Sequence, residues 1–203
     1  MTSPEPIIPL NPSQKYQAAR IIGQAFQNDP VGLYITPDAT KQAHIFSWLA
    51  HVGLILGFKY GEIFTTPPVA GCAVWMRPGT ADLSLWDLVK EGIFPPFRAG
   101  LAALWRLSKM MDVTFLAHKQ YAPEKHWYLF ILAVSPALQG QGLGGRLIQP
   151  ILKRADAAVL PCYLETMNPL SLPFYAKHGF KVVHQDQLPD SNILFWSIRR
   201  EPR

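Results

Sequence analysis

Seven residues, Gln139-Gly140-Gln141-Gly142-Leu143-Gly144-Gly145, follow an eight-residue apolar run from Trp127 to Val134 and open an amphipathic segment. Glycine at this density lets the main chain turn tightly and aim several N–H groups one way, and a helix starting there adds the positive end of its dipole. The chemistry this implies is capture of a phosphate or pyrophosphate by the backbone. Gly140, Gly142 and Gly145 also satisfy G-x-G-x-x-G, with Glu165 twenty residues further on, which is a dinucleotide-binding fingerprint. Three features count against that version. Ser135 to Gln139 separate the apolar run from the first glycine, a start at residue 140 leaves too little chain for the usual parallel units, and the preceding residues do not form the other half of such a fold.

The loop needs a strand before it and a helix after it. Residues 127–134 are apolar on both faces and so predict a strand in the middle of a sheet. Leu143, Leu147, Ile148, Ile151, Leu152 and Ala155 predict a helix over 142–158, with a bend at Pro150. Cys162–Thr166 reads as a strand. A short helix after Ser171 ends at His178-Gly179, where Gly179 supplies the left-handed position past the helix end. Phe180–His184 and Ile193–Ile198 complete the strands. Upstream, a strand at Ile7–Leu10 precedes a helix beginning near Asn11-Pro12, with Tyr16, Ala19, Ile22, Gly23 and Phe26 on one face. That helix ends before Asn28-Asp29-Pro30. A second helix covers roughly 40–57, and Glu62–Thr65 and Ala70–Arg77 form a hairpin around Thr66-Pro67-Pro68. Between Pro78 and Lys125 the spacing is irregular, but Phe97, Leu101, Leu104, Ser108 and Met111 place one stripe on a helix. The order is mixed α/β, with no internal repeat or linker.

Composition narrows the function. Of 203 residues, 49% are apolar and 16% charged, as in a globular chain with a full core. The net charge of +5 favours an anionic ligand, but no Lys/Arg run exceeds two residues, which argues against nucleic acid. Cys72 and Cys162 both sit in apolar segments, as buried free thiols of a reducing compartment do. The start Met1-Thr-Ser-Pro-Glu-Pro has no secretory pattern, and Trp48–Phe58 is too short to span a bilayer. The expectation is a soluble cytoplasmic protein that binds neither nucleic acid nor membrane.

Gln139 to Gly144 matches Q/R-x-x-G-x-G/A. With Leu164-Glu165-Thr166-Met167-Asn168, Phe174-Tyr175 and Gly179-Phe180 in this order, the chain resembles the GNAT N-acetyltransferase superfamily. Ala73-Val74-Trp75, His126-Trp127-Tyr128-Leu129 and Leu172-Pro173-Phe174-Tyr175 look like puromycin N-acetyltransferase and its bacterial relatives. The resemblance implies an α/β (α+β) GNAT fold: a mixed, mostly antiparallel central sheet splayed between two parallel strands, with helices on both faces. It implies one acetyltransferase domain over residues 1–203, in which 79–125 is a variable helical segment near the acceptor site.

The same resemblance implies the roles. Backbone N–H groups of Gln139, Gly140, Gln141, Gly142, Leu143, Gly144 and Gly145 would hold the pyrophosphate of acetyl-CoA, the co-substrate. Main-chain groups of Leu132, Ala133 and Val134 would face its pantetheine arm, and the Asn168 side chain would bond that arm or, alternatively, cap a helix. Tyr175 would protonate the departing thiolate. The base that frees the amine is open among Glu165, His126, His118 and ordered water, with Glu165 placed on the strand flanking the cleft. Aromatic residues Phe26, Tyr34, Trp86, Phe94, Phe97, Trp105 and Phe115 are candidates for the acceptor wall. The expected activity is transfer of acetyl to a primary amine of a small molecule by direct attack in a ternary complex, by a monomer or homodimer. A peptide or protein N-acetyltransferase and a non-catalytic acyl-CoA sensor are the alternatives. No metal is expected.

Overall fold

A two-residue strand, β1 (Ile8–Pro9), leads through α1 (Lys15–Ala25), α2 (Pro30–Ile35) and α3 (Ala39–Tyr60) to the hairpin of β2 (Gly61–Thr65) and β3 (Gly71–Met76). Then come α4 (Leu101–Tyr121), β4 (Trp127–Val134), α5 (Leu143–Ala157), β5 (Cys162–Thr166), α6 (Leu172–Lys177), β6 (Lys181–Gln187) and β7 (Leu194–Arg200). The structure is a computed structural model and describes residues 5–81, 88, 90, 92–94 and 96–203.

Among the described residues seven strands form one sheet in the order β1-β2-β3-β4-β5-β7-β6. Every neighbouring pair is antiparallel except β4 and β5. This is the mixed, mostly antiparallel architecture that the motif order implied. The parallel pair is short: Trp127 faces Cys162, Tyr128 faces Tyr163, and the ladder stops there. From Leu129 onward β4 pairs with β3 alone. Phe130 has no opposite residue in β3, since Trp75 faces Leu129 while Val74 faces Ile131. Such a bulge bends the strand and increases its twist, which here accompanies its divergence from β5.

Helices cover both faces. On one, Leu147, Ile148, Ile151 and Ala155 of α5 are fully buried against Ala73 and Trp75 of β3 and Leu164 of β5. Burial of a large aliphatic side chain contributes about 1.5–3 kcal/mol, so this stripe fixes the helix under the loop that precedes it. On the other face, Ala18 and Ile22 of α1 and Ala50 and Leu54 of α3 pack on Ile63, Val74, Ile131 and Ala133. Pro150 sits within α5, which continues through it from Leu143 to Ala157. Arg200 of β7 joins this end of α5 to the sheet: its guanidinium makes two 2.8 Å bonds to Asp156 and a third, 3.1 Å, to the main-chain oxygen of His178.

Two local readings change. Asn28-Asp29-Pro30 starts α2 instead of merely ending α1: Asp29 accepts from Val31 N at 3.0 Å, and Pro30 takes the first helical position. Helix α4 runs ten residues past Met111 and turns a different face inward. Ala103, Leu107, Met110 and Ala117 pack on Val31, Tyr34, Ile35 and Phe195, whereas Phe97 and Leu101 lie 68% and 84% exposed. Both stripes have helical spacing, and the docking of α4 on α2 and β7 selects the one with small residues at the crossing.

Candidate active site

The glycine loop stands where β4 and β5 have separated. Ser135 donates its N–H to Ala70 O, a single turn spans Pro136–Leu138, and the Gln139 side chain donates back to Val134 O at 3.2 Å. Gly142 then sits at the N-terminus of α5 with φ +79°, a left-handed conformation that penalises any Cβ. No side chain among the described residues caps this helix, so its first main-chain N–H groups stay available for a ligand. At Gly145 the reason for glycine differs: a Cβ would come within 2.8 Å of the His178 imidazole. The loop therefore offers N–H donors and a helix dipole at the end of a cleft whose other wall is the unpaired edge of β4, including Leu132, Ala133 and Val134. The family resemblance implies that the main chain of these three faces the pantetheine arm.

The cleft opens into a cavity of about 310 Å³ lined largely by apolar side chains, among them Phe26, Phe46, Trp48, Met110, Phe115, Phe130 and Leu132. Glu165 and Tyr175 both line it, on β5 and α6. Burial pushes the Glu165 carboxyl up to about 7, while the hydroxyls of Tyr128 and Tyr163 pull the other way by favouring the anion. A carboxyl in that range changes charge at the pH where a base must work. The Tyr163 hydroxyl, although it faces Glu165, finds no partner of proper hydrogen-bond geometry among the described residues. Tyr175 is 8% exposed, and burial with the nearby charge of Asp29 holds its hydroxyl protonated well beyond neutral pH. Phe174 and Phe180 meet its ring edge-on at 5.1 and 5.7 Å and fix its direction.

Beside Glu165 lie two histidines. His118 Nδ1 is 3.8 Å from Glu165 Oε1, and His118 Nε2 is 2.7 Å from His126 Nε2. The Tyr128 and Tyr163 rings pack against His118 at 4.6 and 4.8 Å. All three residues considered as the base are thus brought together, with Glu165 and His118 on the cavity wall and His126 behind them. Asn168 uses its side-chain oxygen to accept from Leu170 N at 3.1 Å, the capping role, and its side chain also bonds Asp29. Burial raises Asp29 against those bonds. Both thiols are buried, which pushes Cys72 and Cys162 up to about 12 and keeps them un-ionised.

Of the aromatic residues considered for the acceptor wall, Phe26 and Phe115 line the cavity. Tyr34 is core, Phe94, Phe97 and Trp105 are more than half exposed, and Trp86 lies outside the described residues. The sequence reading missed Asp29, Met110 and Thr114, which line the cavity, and it considered His118 as a base without placing it on the same α4 stripe as Met110 and Thr114. The Asp-Pro pair was a usable helix-start signal, and the fourfold spacing of 110, 114 and 118 was visible once α4 was known to run to Tyr121.

Comparison with known proteins gives a consistent answer. The acetyltransferase (GNAT) family model matches residues 98–180, which contain α4, β4, the loop, β5 and α6. An uncharacterized N-acetyltransferase of Schizosaccharomyces pombe is 25% identical over 186 residues, covering 81% of this chain and 69% of that protein. A Corynebacterium glutamicum structure described as histone acetyltransferase HPA2 and related acetyltransferase superposes with a TM-score of 0.69 at 20% identity, over 99% of this chain and 98% of its own. Arylalkylamine N-acetyltransferase 2 from Aedes aegypti superposes with a TM-score of 0.62 at 12% identity, over 99% and 100%.

Proposed function

We propose, from the premise that the chain is a GNAT-family N-acetyltransferase, that it moves acetyl from acetyl-CoA to the primary amine of a small molecule. One observation carries the reading: an unpaired β4 edge runs from an N–H-rich helix start to a cavity holding Glu165 and Tyr175. The uncapped start of α5 fits a pyrophosphate, and the β4 edge fits an amide-bearing arm that hydrogen-bonds like a strand. Their order supports a thioester seated at the cavity.

In this proposal Glu165 takes a proton from the acceptor ammonium, and the freed lone pair attacks the thioester carbonyl carbon. The C–S bond then breaks, Tyr175 gives its hydroxyl proton to the leaving sulfur, and the second proton that the nitrogen sheds as the amide forms returns to the Tyr175 oxygen. The buried, un-ionised thiols support direct attack in a ternary complex over a cysteine-borne acetyl group. The apolar lining favours an amine with an apolar or aromatic body, and a cavity of about 310 Å³ favours a small molecule over a protein chain. The motif likeness to puromycin N-acetyltransferase fits that class and does not name the acceptor.

The test is thiol release from acetyl-CoA across a panel of aromatic, aliphatic and peptide amines. Turnover with a small aromatic amine, and a loss of about 10²-fold in kcat with little change in CoA affinity for Tyr175→Phe, are expected. Tight CoA binding with no turnover on any amine supports the sensor instead.

A further inference from the structure

His118, from α4, and His126, from the turn before β4, are both buried, and acetyl transfer as described above leaves them unused. Their hydrogen bonds assign the protons. His126 Nδ1 is 2.6 Å from the main-chain oxygen of Glu124, and a carbonyl oxygen only accepts. His126 therefore carries its proton on Nδ1 and, when neutral, presents a lone pair at Nε2. Across the 2.7 Å contact His118 must donate from Nε2, which leaves the His118 lone pair on Nδ1. That atom faces Glu165 Oε1 at 3.8 Å, an ion-pair distance that a carboxylate swing of about 1 Å turns into a hydrogen bond.

We propose that His118 and His126 form a proton relay behind Glu165, which unloads the amine-derived proton from the carboxyl so that it returns to its basic form. The inference rests on Glu165 acting as the base. The proton taken by Glu165 passes to His118 Nδ1, the Nε2 proton of His118 passes to His126 Nε2, and one positive charge ends on His126 with both ring nitrogens protonated. No bond to carbon changes and no redox partner is needed. The surroundings suit that destination. The Glu124 main chain accepts from the ring, and the Glu124 carboxylate, itself paired with Arg199 of β7, is close enough to interact with its charge. The phenols of Tyr128 on β4 and Tyr163 on β5 pack against His118, and Tyr163 also meets His126 edge-on at 5.8 Å. Since burial leaves Glu165 near half-protonated at neutral pH, an adjacent acceptor raises the fraction ready to act.

The first arm of the test is two-bond 1H–15N correlation on imidazole-labelled protein without ligand. Neutral His118 is expected as the Nε2–H tautomer and neutral His126 as the Nδ1–H tautomer; the reverse assignment for His118 overturns the relay. This arm needs no variant and no substrate. The second arm measures acetylation of 2-phenylethylamine against pH. His126→Gln places an accepting oxygen near the position of Nε2 but cannot take a proton, and His126→Asn keeps a donor for Glu124 O but is too short to reach His118. Both are expected to lower kcat about tenfold with KM little changed and to move the acid limb of the profile to higher pH. Unchanged kcat and an unchanged limb in both variants overturn the relay. Glu165→Gln separates the two claims: full activity there removes Glu165 as the base, whereas its loss beside normal His126 variants removes only the relay.

Discussion

Glu165 illustrates how one side chain couples activity to stability. Its carboxyl titrates near 4.5 when exposed and near 7 here, so between those values the folded chain binds more protons than the unfolded one. Stability then falls as pH rises through that window, by about 3 kcal/mol once the buried group is fully ionised. Glu165→Gln should therefore be about as stable as the parent at pH 4.5 and more stable, by about 3 kcal/mol, at pH 8, read from urea midpoints at the two pH values. With Glu165 as the proposed base, kcat/KM of the parent should rise with pH through about 7, and Glu165→Gln should abolish that rise along with about 10²–10⁴ of the rate. At pH 5, where Glu165 is protonated, Tyr163→Phe removes a buried hydroxyl with no well-formed hydrogen bond among the described residues, so thermal unfolding should show it unchanged or about 1 kcal/mol more stable. Residue types and motif order put Glu165 and Tyr175 forward, and both line the cavity, but the His118–His126 contact joins two elements and was open in the sequence only as two separate candidates.

Where a pattern was strictly local, the elements were legible. The β4 run and the α5 stripe were visible because one is apolar throughout and the other keeps one helical period against the sheet. Helix α4 was misjudged because it carries two apolar stripes, and only the partner surface on α2 and β7 decides between them. The loop between β4 and α5 carries its own prediction. Gly142→Val forces a β-branched residue to φ +79°, and a Cβ there meets no neighbouring atom within 4 Å, so the strain is in the backbone and not in packing. Relief of that strain moves the loop N–H groups. Calorimetry should find CoA bound about tenfold or more weakly while the circular dichroism of the chain is retained; unchanged affinity would move the pyrophosphate elsewhere.

At the scale of the whole molecule, the sheet runs from Ile8 to Arg200, and the pair Arg200–Asp156 ties its C-terminal strands to α5. Arg200 is 4% exposed, and its guanidinium holds the Asp156 carboxyl below the usual carboxylate range. Asp156→Ala leaves a buried cation with only the His178 main-chain oxygen and should cost about 2–3 kcal/mol, seen as a lower urea midpoint with both sheet halves unfolding together. No helix among the described residues is long and apolar enough to cross a membrane. Strand order was legible only through family resemblance, because pairing between distant segments leaves no periodic trace in a single sequence. The two ladder pairs between β4 and β5 have a mechanical meaning as well. Two plates stitched at one corner resist opening poorly, and whatever slides between them becomes the missing brace. A thioester present at a hundred times its dissociation constant would add about 2.7 kcal/mol to the folded state. With the proposed thioester at that seam, amide exchange on both sides of it should slow together when the ligand arrives, and resistance of the folded molecule to proteases should rise with its concentration.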